Sequence, residues 1–490
     1  MNCNGLQHLC FENPVSYLIG YSHLDSILHV NTTRIMRVHL IAIGGSAMHN
    51  MAIALHQKGV HISGSDDEIF EPSRSRLKRI GLLPMEEGWF PEKISDELDA
   101  VIVGMHARKD NPELLRAIEL GLKVFSYPEY VYEQTKDKIR VVIGGSHGKT
   151  TTTAMILHVL NACGIESDYL VGAQLEGFDC MVRFSESSKV AVIEGDEYLS
   201  SPTDLRPKFH LYHPNIALLT GIAWDHINVF PTFENYLKQF RIFLDKIVEG
   251  GVLIYCKLDE EVMALADLHS GSFRRIPYEI HPHIVSDGIT SLITKGGKVP
   301  LRIFGDHNLQ NLMGAFYVCE QLGISAPQFY EAISTFRGAA RRLEPVREKL
   351  NAVIYKDFAH SPSKLKATTN AFKKQFPERE LIACMELHTF SSLNAQFLAE
   401  YRDSMSLADR AFVYFSPHTI EHKKLAPISK EQVRESFGTD NVIVFTSSAD
   451  LVDELRKIEW VNRNLLLMTS GNFDGIDFVK LADELLGQNS

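Results

Sequence analysis

The sequence lacks any apolar run that approaches the roughly 18 to 20 residues a membrane-spanning helix requires, and we therefore predict no membrane partner. It is also poor in basic residues for a 490-residue chain: 50 Lys and Arg stand against 61 Asp and Glu, a formal charge of -11. Because a nucleic-acid backbone is bound by clustered positive charge, this balance argues against a nucleic-acid partner. An anionic ligand must instead be held locally, by loops and helix ends.

Cysteine is scarce too. The seven cysteines show neither a C-x-x-C pair nor the density of a disulfide framework, which favours a reducing cytoplasm. The first 35 residues lack the basic and apolar segments of a secretory signal, and a strand pattern begins only at Met36. We expect residues 1–35 to be a leader that is either disordered or not part of the natural chain, with Met36 as the natural start.

Internal repeats and low-complexity linkers are absent as well, and a chain of this length is expected to form two to four domains. Short apolar runs alternate with helix-length stretches in three successive blocks, the pattern of α/β domains. We predict a first domain over residues 36–138, a central domain over 139–336 and a third over 337–490. Late in the central block, "GVLIYC", "RRIPYEI" and "ITSLITKGG" are predicted to form antiparallel strands.

The segment "GGSHGKTTTTAM", residues 144–155, lacks one glycine of the phosphate-binding pattern G-x-x-x-x-G-K-[ST], because Ile143 stands at its first position. A strand-like run precedes the segment and a helical stretch follows it. In that context, the N–H groups of a glycine turn and of a helix N-terminus bind phosphate without net positive charge. Lys149 would add a point charge at the β- and γ-phosphates, and the Thr150 hydroxyl would reach Mg²⁺.

Acidic and imidazole side chains follow the next two predicted strands. Glu194 ends "KVAVIE", and Asp225 and His226 follow "NIALLTGIAW". Ligands of open parallel sheets bind beyond the carboxyl ends of the strands, and so we expect these side chains at the same edge as Lys149. Glu194 and His226 are the candidates to complete a Mg²⁺ shell over a triphosphate.

The first block carries a weaker motif, "AIGGSAMHNMAIAL", with Asp66 at the end of the next predicted strand. The dinucleotide pattern G-x-G-x-x-G falls on Ala42, Gly44 and Ala47, so that only the middle glycine is present. This degraded pattern argues against a nicotinamide oxidoreductase. It favours a phosphorylated nucleotide at a helix N-terminus.

Taken in order, these motifs resemble the Mur ligase family, the ATP-dependent amide ligases of peptidoglycan metabolism, whose phosphate loop is the shortened G-x-x-G-K-[ST]-[ST]. The resemblance covers nearly everything after Met36, through "IEGDEY", "DHINVF", "GDHNLQN", "FRGAARRLEP" and "KDFAHSP". It implies an α/β protein with a Rossmann-like N-terminal domain, a central P-loop ATPase-type domain with a mainly parallel sheet, and a Rossmann-like C-terminal domain. It also implies ATP and Mg²⁺ as cofactors and UDP-N-acetylmuramate as one substrate.

The resemblance assigns roles residue by residue. Lys149, His226 and Arg342 are expected to be catalytic, and Thr150, Glu194 and His226 are expected to hold Mg²⁺. The residues expected to bind ATP are Gly145, Ser146, His147, Gly148, Lys149, Thr150, Thr151, His307, Asn308, Asn311, Arg342 and Asp357. Those expected to bind the UDP-sugar are Gly44, Gly45, Ser46, Ser65, Asp66 and His106.

The second substrate, an amine, is predicted less directly. The segments "YLSSPTDLRPKFHLYHP" and "MTSGNFDGI" resemble the branch that joins the tripeptide L-Ala-γ-D-Glu-meso-diaminopimelate to UDP-N-acetylmuramate. Addition of L-alanine is the alternative, and a non-catalytic nucleotide sensor is the alternative outside this class.

Several positions depart from other members of the family. Arg241, with Lys238 one turn earlier, stands near the place of a carbamylated lysine, so none is expected here. Asn228 stands where an Asp is frequent, and His388 where an arginine would meet a substrate carboxylate. "HSP" replaces a double histidine before proline. These departures leave the peptide-side contacts and the oligomeric state open.

Overall fold

A computed structural model of the chain describes residues 34–174, 177–201, 203–224, 229–286, 288–339, 343–349, 351–439 and 441–487. The expected leader lies almost entirely outside the described residues, and so do Asp225, His226, Asn228 and Arg342. Across the described ranges the strands form four sheets. No helix within them is long and apolar enough to cross a membrane.

The first elements alternate strand and helix. They are β1 (Arg37–Ile41), α1 (Ser46–Gln57), β2 (His61–Ser65), α2 (Ser73–Arg79), β3 (Ala100–Val103), α3 (Pro112–Glu119), β4 (Val124–Ser126) and α4 (Tyr127–Thr135). The strands pair in the order β2-β1-β3-β4, and every pair is parallel. The apolar run of β3 is buried along its whole length, as expected for a parallel sheet with helices on its faces.

The central elements build the largest sheet. They are β5 (Ile139–Gly144), α5 (Lys149–Ala162), β6 (Ser167–Leu170), β7 (Val182–Arg183), β8 (Val190–Glu194), β9 (Ile216–Leu219), α6 (Phe233–Asp245), β10 (Val252–Cys256), α7 (Glu260–Leu268) and β11 (Arg274–Tyr278). The strand order is β11-β10-β9-β5-β8-β6-β7, and among these pairs only β6 and β7 are antiparallel.

The antiparallel prediction for the end of the central block is therefore wrong for its first two runs. "GVLIYC" forms β10 and "RRIPYEI" contains β11, and the two strands are parallel neighbours. Parallel pairing needs a crossover, and α7 supplies it between them. That helix begins at an Asp259 cap, whose side chain accepts a hydrogen bond of 3.0 Å from the Val262 N–H.

A small antiparallel sheet follows, and here the prediction for "ITSLITKGG" is confirmed. Its strands are β12 (His283–Ser286), β13 (Ile289–Thr294) and β14 (Gly297–Pro300), paired in that order. Two helices come next, α8 (Asp306–Gln321) and α9 (Ala326–Ile333). Helix α8 packs on α5, so that "GDHNLQN" lies near the phosphate loop.

The last elements form a third set of alternating strands and helices. They are β15 (Glu344–Lys349), β16 (Ala352–Asp357), α10 (Pro362–Gln375), β17 (Glu380–Leu387), β18 (Arg410–Phe415), α11 (Pro417–His422), α12 (Lys430–Phe437), β19 (Val442–Phe445), α13 (Ser448–Arg456), β20 (Arg463–Met468) and α14 (Phe478–Leu485). The order is β15-β16-β20-β17-β18-β19, with β15 antiparallel at one edge and the remaining pairs parallel. The predicted α/β class with mainly parallel sheets is confirmed.

Candidate active site

The phosphate loop connects β5 to α5, and two glycines give it its shape. Gly145 has φ +132° and Gly148 has φ +78°, conformations that other residues rarely adopt. A Cβ on Gly148 would also lie under 3.0 Å from Asn311 Oδ1, and one on Gly145 would collide with the Thr220 hydroxyl. The loop is therefore packed against its neighbours, and its N–H groups are presented at the start of α5.

Lys149 is the first residue of α5 and is largely buried. Its ammonium donates to the Gly145 carbonyl and lies 2.6 Å from Glu197 Oε2. Burial by itself would lower the pKa of Lys149, but the carboxylates of Glu197 and Asp196 outweigh burial and raise the pKa above its ordinary value. The side chain is thus a fixed positive charge beside the loop.

Thr150 and Glu194 come together as predicted from the strand ends. The Thr150 hydroxyl donates to Glu194 Oε1 at 2.7 Å, and the Gly172 N–H donates to Glu194 Oε2 at 2.8 Å. Burial raises the pKa of the Glu194 carboxyl, because these two hydrogen bonds offset only part of its lost hydration. A divalent cation would stabilise the ionised form, and hydroxyl and carboxylate oxygens are the donors that Mg²⁺ prefers.

Helix α8 forms one wall of the site. Asn308 Nδ2 donates to the Phe304 carbonyl at 2.9 Å, and Gln310 Nε2 donates to the Thr220 carbonyl at 3.2 Å. Asn311 is buried against Gly148. Asn308 thus fixes the start of α8, Gln310 ties the helix to the end of β9, and Asn311 contacts the phosphate loop, with His307 in the same cavity.

The opposite wall comes from the last sheet. Asp357 ends β16, and its Oδ1 accepts hydrogen bonds from the N–H groups of Leu343 and Phe358 at 3.2 and 2.9 Å. Its Oδ2 accepts one from the Thr368 hydroxyl at 2.9 Å. His360 lies three residues after Asp357 and also lines the cavity. Asp357 is thereby held rigidly across from the phosphate loop.

These walls enclose a cavity of about 410 Å³. It is lined by Ser146, His147, Gly148, Lys149, Thr150, Thr151, Glu194, Glu197, His307, Asn308, Gln310, Asn311, Leu343, Asp357, Ala359, His360, Ser363, Lys364, Ala367 and Thr368. Burial lowers the pKa of His147 to about 4, and the positive charge of Lys364 adds to the effect. The imidazole is therefore neutral near pH 7 and leaves the positive charge to the lysines.

A second nucleotide-type loop lies between β1 and α1. The Gly44 N–H donates to Asp66 Oδ2 at 2.7 Å, and a Cβ on Gly44 would stand 2.9 Å from that oxygen. Asp66 is buried, and its burial raises the pKa of the carboxyl to about 6. At least one of its oxygens therefore holds the loop itself.

The remaining residues expected at the UDP-sugar divide into two groups. Gly45 and Ser46 open α1, and His106 Nδ1 lies 3.7 Å from the place a Gly45 Cβ would occupy. The Ser65 side chain is fully buried, and its hydroxyl accepts a hydrogen bond of 3.3 Å from Lys93 Nζ. Ser46 and His106 are exposed beside Gly45 at the start of α1, whereas Ser65 is buried at the end of β2.

The structure brings most of the residues expected at ATP into one place. Every member of that set within the described residues lines the cavity, except that Gly145 shapes the loop from behind. His226 and Arg342 lie outside the described residues, and their roles stay predictions. Arg241 and Lys238 are both exposed on α6 and do not line the cavity.

Sequence reasoning missed Glu197 and Lys364. Glu197 lies in "IEGDEY", three residues after Glu194, and the cluster of acids at the end of a strand was a signal that could have found it. Lys364 lies in the first turn of α10, where neither motif nor spacing marks it. Both line the cavity.

Comparison with known proteins places these features in a family. Three family models match successive parts of the chain: "Mur ligase family, catalytic domain" over residues 37–138, "Mur ligase middle domain" over 143–319 and "Mur ligase, glutamate ligase domain" over 341–472. The UDP-N-acetylmuramate–L-alanine ligase of Caldicellulosiruptor saccharolyticus is 32% identical over 435 residues, which cover 86% of this chain and 91% of that protein.

Similar proteins also include a tripeptide ligase. The UDP-N-acetylmuramate–L-alanyl-gamma-D-glutamyl-meso-2,6-diaminoheptandioate ligase of Haemophilus influenzae is 25% identical, covering 91% of this chain and 99% of that protein. Among solved structures, a murein peptide ligase from Psychrobacter arcticus has a TM-score of 0.60 at 23% identity, with 92% of this chain and 99% of that one covered. The UDP-N-acetylmuramate–alanine ligase of Thermotoga maritima has a TM-score of 0.63 at 20% identity, with 92% and 99% covered.

The two structural matches show a shared fold, and the sequence matches show common descent over most of the chain. Members of the matched family are ATP-dependent ligases of peptidoglycan synthesis, which join UDP-N-acetylmuramate with amino acids or peptides. The phosphate loop, Lys149 and the surrounding cavity are the arrangement that such a reaction needs. This chain belongs to the Mur ligase family of ATP-dependent ligases.

Proposed function

We propose that the protein joins the lactyl carboxylate of UDP-N-acetylmuramate to the amino group of L-Ala-γ-D-Glu-meso-diaminopimelate, through an acyl phosphate. The proposal that ATP binds here is supported by the cavity, in which Lys149 and Thr150 on one wall face Asp357 on the other. The UDP-sugar is proposed to bind at the start of α1, where Gly45 and Ser46 begin the helix.

ATP is proposed to extend across the whole cleft. The β- and γ-phosphates lie at the phosphate loop, and Lys149 offsets their charge. A neighbouring cavity of about 220 Å³ is lined by Phe304, Asn308, Arg337 and Tyr355 among others, and its aromatic and amide groups suit the flat base of the nucleotide. Asn308 lines both cavities, so that one molecule can occupy the two.

A carboxylate needs activation before it forms an amide, because its oxygen is a poor leaving group. In the proposed first step, an oxygen of the lactyl carboxylate attacks the γ-phosphorus, the bond to the β-phosphate oxygen breaks, and ADP leaves. In the second step, the amine nitrogen attacks the acyl carbon, phosphate leaves, and the nitrogen gives up a proton. In this proposal, Lys149 and Arg342 stabilise the negative charge of the transferring group.

Mg²⁺ belongs to the proposal, with Thr150, Glu194 and His226 as the residues that would hold it. The hydroxyl and carboxylate already meet at 2.7 Å, and both are oxygen donors. When bound, the cation would offset charge on the phosphates and keep the two reactants in line. The buried position of Glu194 fits this role, since an ionised carboxyl there needs a positive partner.

The tripeptide and L-alanine remain the two candidate amines. The segments "YLSSPTDLRPKFHLYHP" and "MTSGNFDGI" support the tripeptide. The relatives named for L-alanine support the alternative, since the one described above is 32% identical, against 25% for the tripeptide ligase. A cytoplasmic location, where ATP and UDP-sugars are present, is part of the same proposal.

One assay decides between the two amines. The protein is incubated with ATP, Mg²⁺ and UDP-N-acetylmuramate, and ADP release is followed with either the tripeptide or L-alanine as the amine. We expect kcat/KM for the tripeptide to exceed that for L-alanine by about 100-fold or more, because a site built for a larger amine uses its additional contacts in the transition state. A higher kcat/KM for L-alanine would assign the alternative.

A further inference from the structure

Glu197 forms the closest charged contact of the phosphate-loop lysine. Its Oε2 lies 2.6 Å from Lys149 Nζ, and only 1% of its side chain is exposed, against 14% for Lys149. A phosphate ligand would have to approach the same ammonium. The carboxylate and the nucleotide therefore carry the same sign of charge and share one partner.

Glu197 is also held in place from behind. The Tyr236 hydroxyl donates to Glu197 Oε1 at 3.2 Å and lies 2.8 Å from Ser146 Oγ. Ser146 Oγ in turn accepts a hydrogen bond of 2.9 Å from the Ala223 N–H. Tyr236 is fully buried in α6, and Ser146 is a member of the phosphate loop. The carboxylate is thus tied through Tyr236 to the phosphate loop.

We propose that Glu197 competes with the nucleotide phosphates for the Lys149 ammonium and thereby lowers the affinity of the site for ADP, which favours product release. This inference rests on the proposed binding of ATP at the phosphate loop. In the nucleotide-free protein, the carboxylate is the nearest opposite charge of a buried cation. When phosphates bind, the ammonium is shared with them or passes to them, and when ADP leaves the ion pair forms again.

Removal of the Glu197 charge affects both the nucleotide-free protein and the ADP complex. Glu197→Gln keeps the shape of the side chain and can still accept a hydrogen bond from Tyr236, but it no longer attracts the ammonium. The nucleotide-free state is then less stable, whereas the ADP complex loses a repulsive charge. Both changes act in the same direction and tighten ADP binding.

The test compares Mg²⁺-ADP binding to three full-length proteins by titration calorimetry: the wild type, Glu197→Gln and the matched control Asp168→Asn. Asp168 forms a similarly buried ion pair with Lys138, with 1% and 12% of the two side chains exposed, and neither residue lines the cavity. We expect the Kd for ADP to fall about tenfold in Glu197→Gln, near the lower end of the coupling measured for close charge pairs, and by less than about twofold in the control. We also expect a lower kcat for Glu197→Gln if ADP release limits turnover.

An unchanged or higher Kd for Glu197→Gln would overturn the inference, even if its melting temperature fell, because Glu197 would then be structural only. An equal fall in both variants would also overturn it, since the effect would come from net charge. If Glu197→Gln does not fold, Glu197→Asp takes its place: the shorter side chain draws the carboxylate back, and the Kd must fall about threefold or more. Failure of the wild type to bind ADP at all would count against the proposed function instead.

Discussion

At the scale of single residues, the account depends on a lysine that is both buried and charged. Lys149 is stabilised by Glu197 and by the Gly145 carbonyl. The same position brings its ammonium to the mouth of the phosphate loop. Its removal would leave the transferring phosphoryl group without its nearest positive charge.

We expect Lys149→Ala to lower ligase turnover about 10³-fold, the size of effect found when a preorganised charge or donor is removed from a transition state. The measurement is ADP release with saturating substrates. Lys189→Ala is the control, because Lys189 is exposed in the same sheet region and does not line the cavity. Near-normal turnover in Lys149→Ala would show that the loop does not handle the phosphates.

The two left-handed glycines at the ends of α5 provide a second test. Gly148 and Gly164 have φ values of +78° and +70°, but only at Gly148 would a Cβ meet another atom within 4 Å. We expect Gly164→Ala to cost about 1 kcal/mol of unfolding free energy and to keep its turnover. Gly148→Ala has the same backbone strain, and its Cβ also displaces Asn311. Because this changes the shape of the phosphate loop, we expect turnover to fall at least about 100-fold. Equal turnover in the two variants would contradict this reading of the loop.

Single residues could be predicted from the sequence where a motif fixed their place in the chain. Lys149 and Thr150 follow a glycine turn, and Glu194 follows a strand, so their meeting results from parallel strands ending at one edge. Asp357 was predicted through the resemblance, whereas its contacts with Leu343 and Thr368 needed the folded chain. The sequence did not distinguish Glu197 from other acidic residues, because its importance comes from a contact with Lys149, which lies 48 positions away in the chain.

At the scale of elements, helix α1 connects the first nucleotide-type loop to the central sheet. Asn50 Nδ2 donates to the Ser46 carbonyl at 2.8 Å, at the start of this helix. Its Oδ1 accepts a hydrogen bond of 3.1 Å from the Met181 N–H, just before β7. The buried amide therefore fixes the start of α1 against another layer of the protein.

We expect Asn50→Ala to lower the unfolding free energy by about 1–3 kcal/mol, because a buried N–H of Met181 loses its acceptor. Denaturant unfolding at constant pH measures the change. Asn161→Ala, at an exposed position of α5, is the matched control and should change it by less than about 0.5 kcal/mol. A similarly small loss of unfolding free energy in both variants would mean that the Asn50 contacts do not stabilise the protein.

The elements themselves were largely predictable, since long apolar runs between turns give strands. The strands β6, β7, β12, β14 and β15 escaped prediction because their few polar or mixed residues show no clear hydrophobic period. The pairing of β10 with β11 was wrong because the helix between them was not recognised. Only that crossover distinguishes parallel from antiparallel neighbours.

At the scale of the whole molecule, buried neutral histidines make stability depend on pH. His210 is buried, its Nε2 lies 2.8 Å from the Gln239 carbonyl, and burial lowers the pKa to about 4 from an ordinary 6.5. Between these values the unfolded chain binds more protons than the folded one. The stability contributed by the neutral imidazole is therefore complete above the unfolded pKa and is lost as the pH falls through the folded pKa.

We expect the unfolding free energy of His210→Gln to vary less with pH than that of the wild type. The difference in unfolding free energy between the two should shrink as the pH is lowered from about 7 to about 5, at up to about 1.4 kcal/mol per pH unit below the unfolded pKa. Denaturant titrations at the two pH values give this difference. A constant difference would show that His210 is not buried in its neutral form.

The α/β class and the succession of strands and helices were predictable from the sequence, but the facing walls of the cleft were not. Lys149 and Asp357 are 208 positions apart in the chain, and only packing of α8 between their layers brings them to one cavity. No local pattern encodes that distance. The resemblance to a family supplied this expectation.

The central claim is that ATP activates a carboxylate as an acyl phosphate, and one isotope measurement tests it most directly. UDP-N-acetylmuramate labelled with ¹⁸O in its lactyl carboxylate is incubated with the protein, Mg²⁺, ATP and the tripeptide, and the released phosphate is analysed by mass spectrometry. The account predicts that each phosphate carries one oxygen from the carboxylate and that phosphate, ADP and amide form in equal amounts. Phosphate that contains no oxygen from the carboxylate would contradict it.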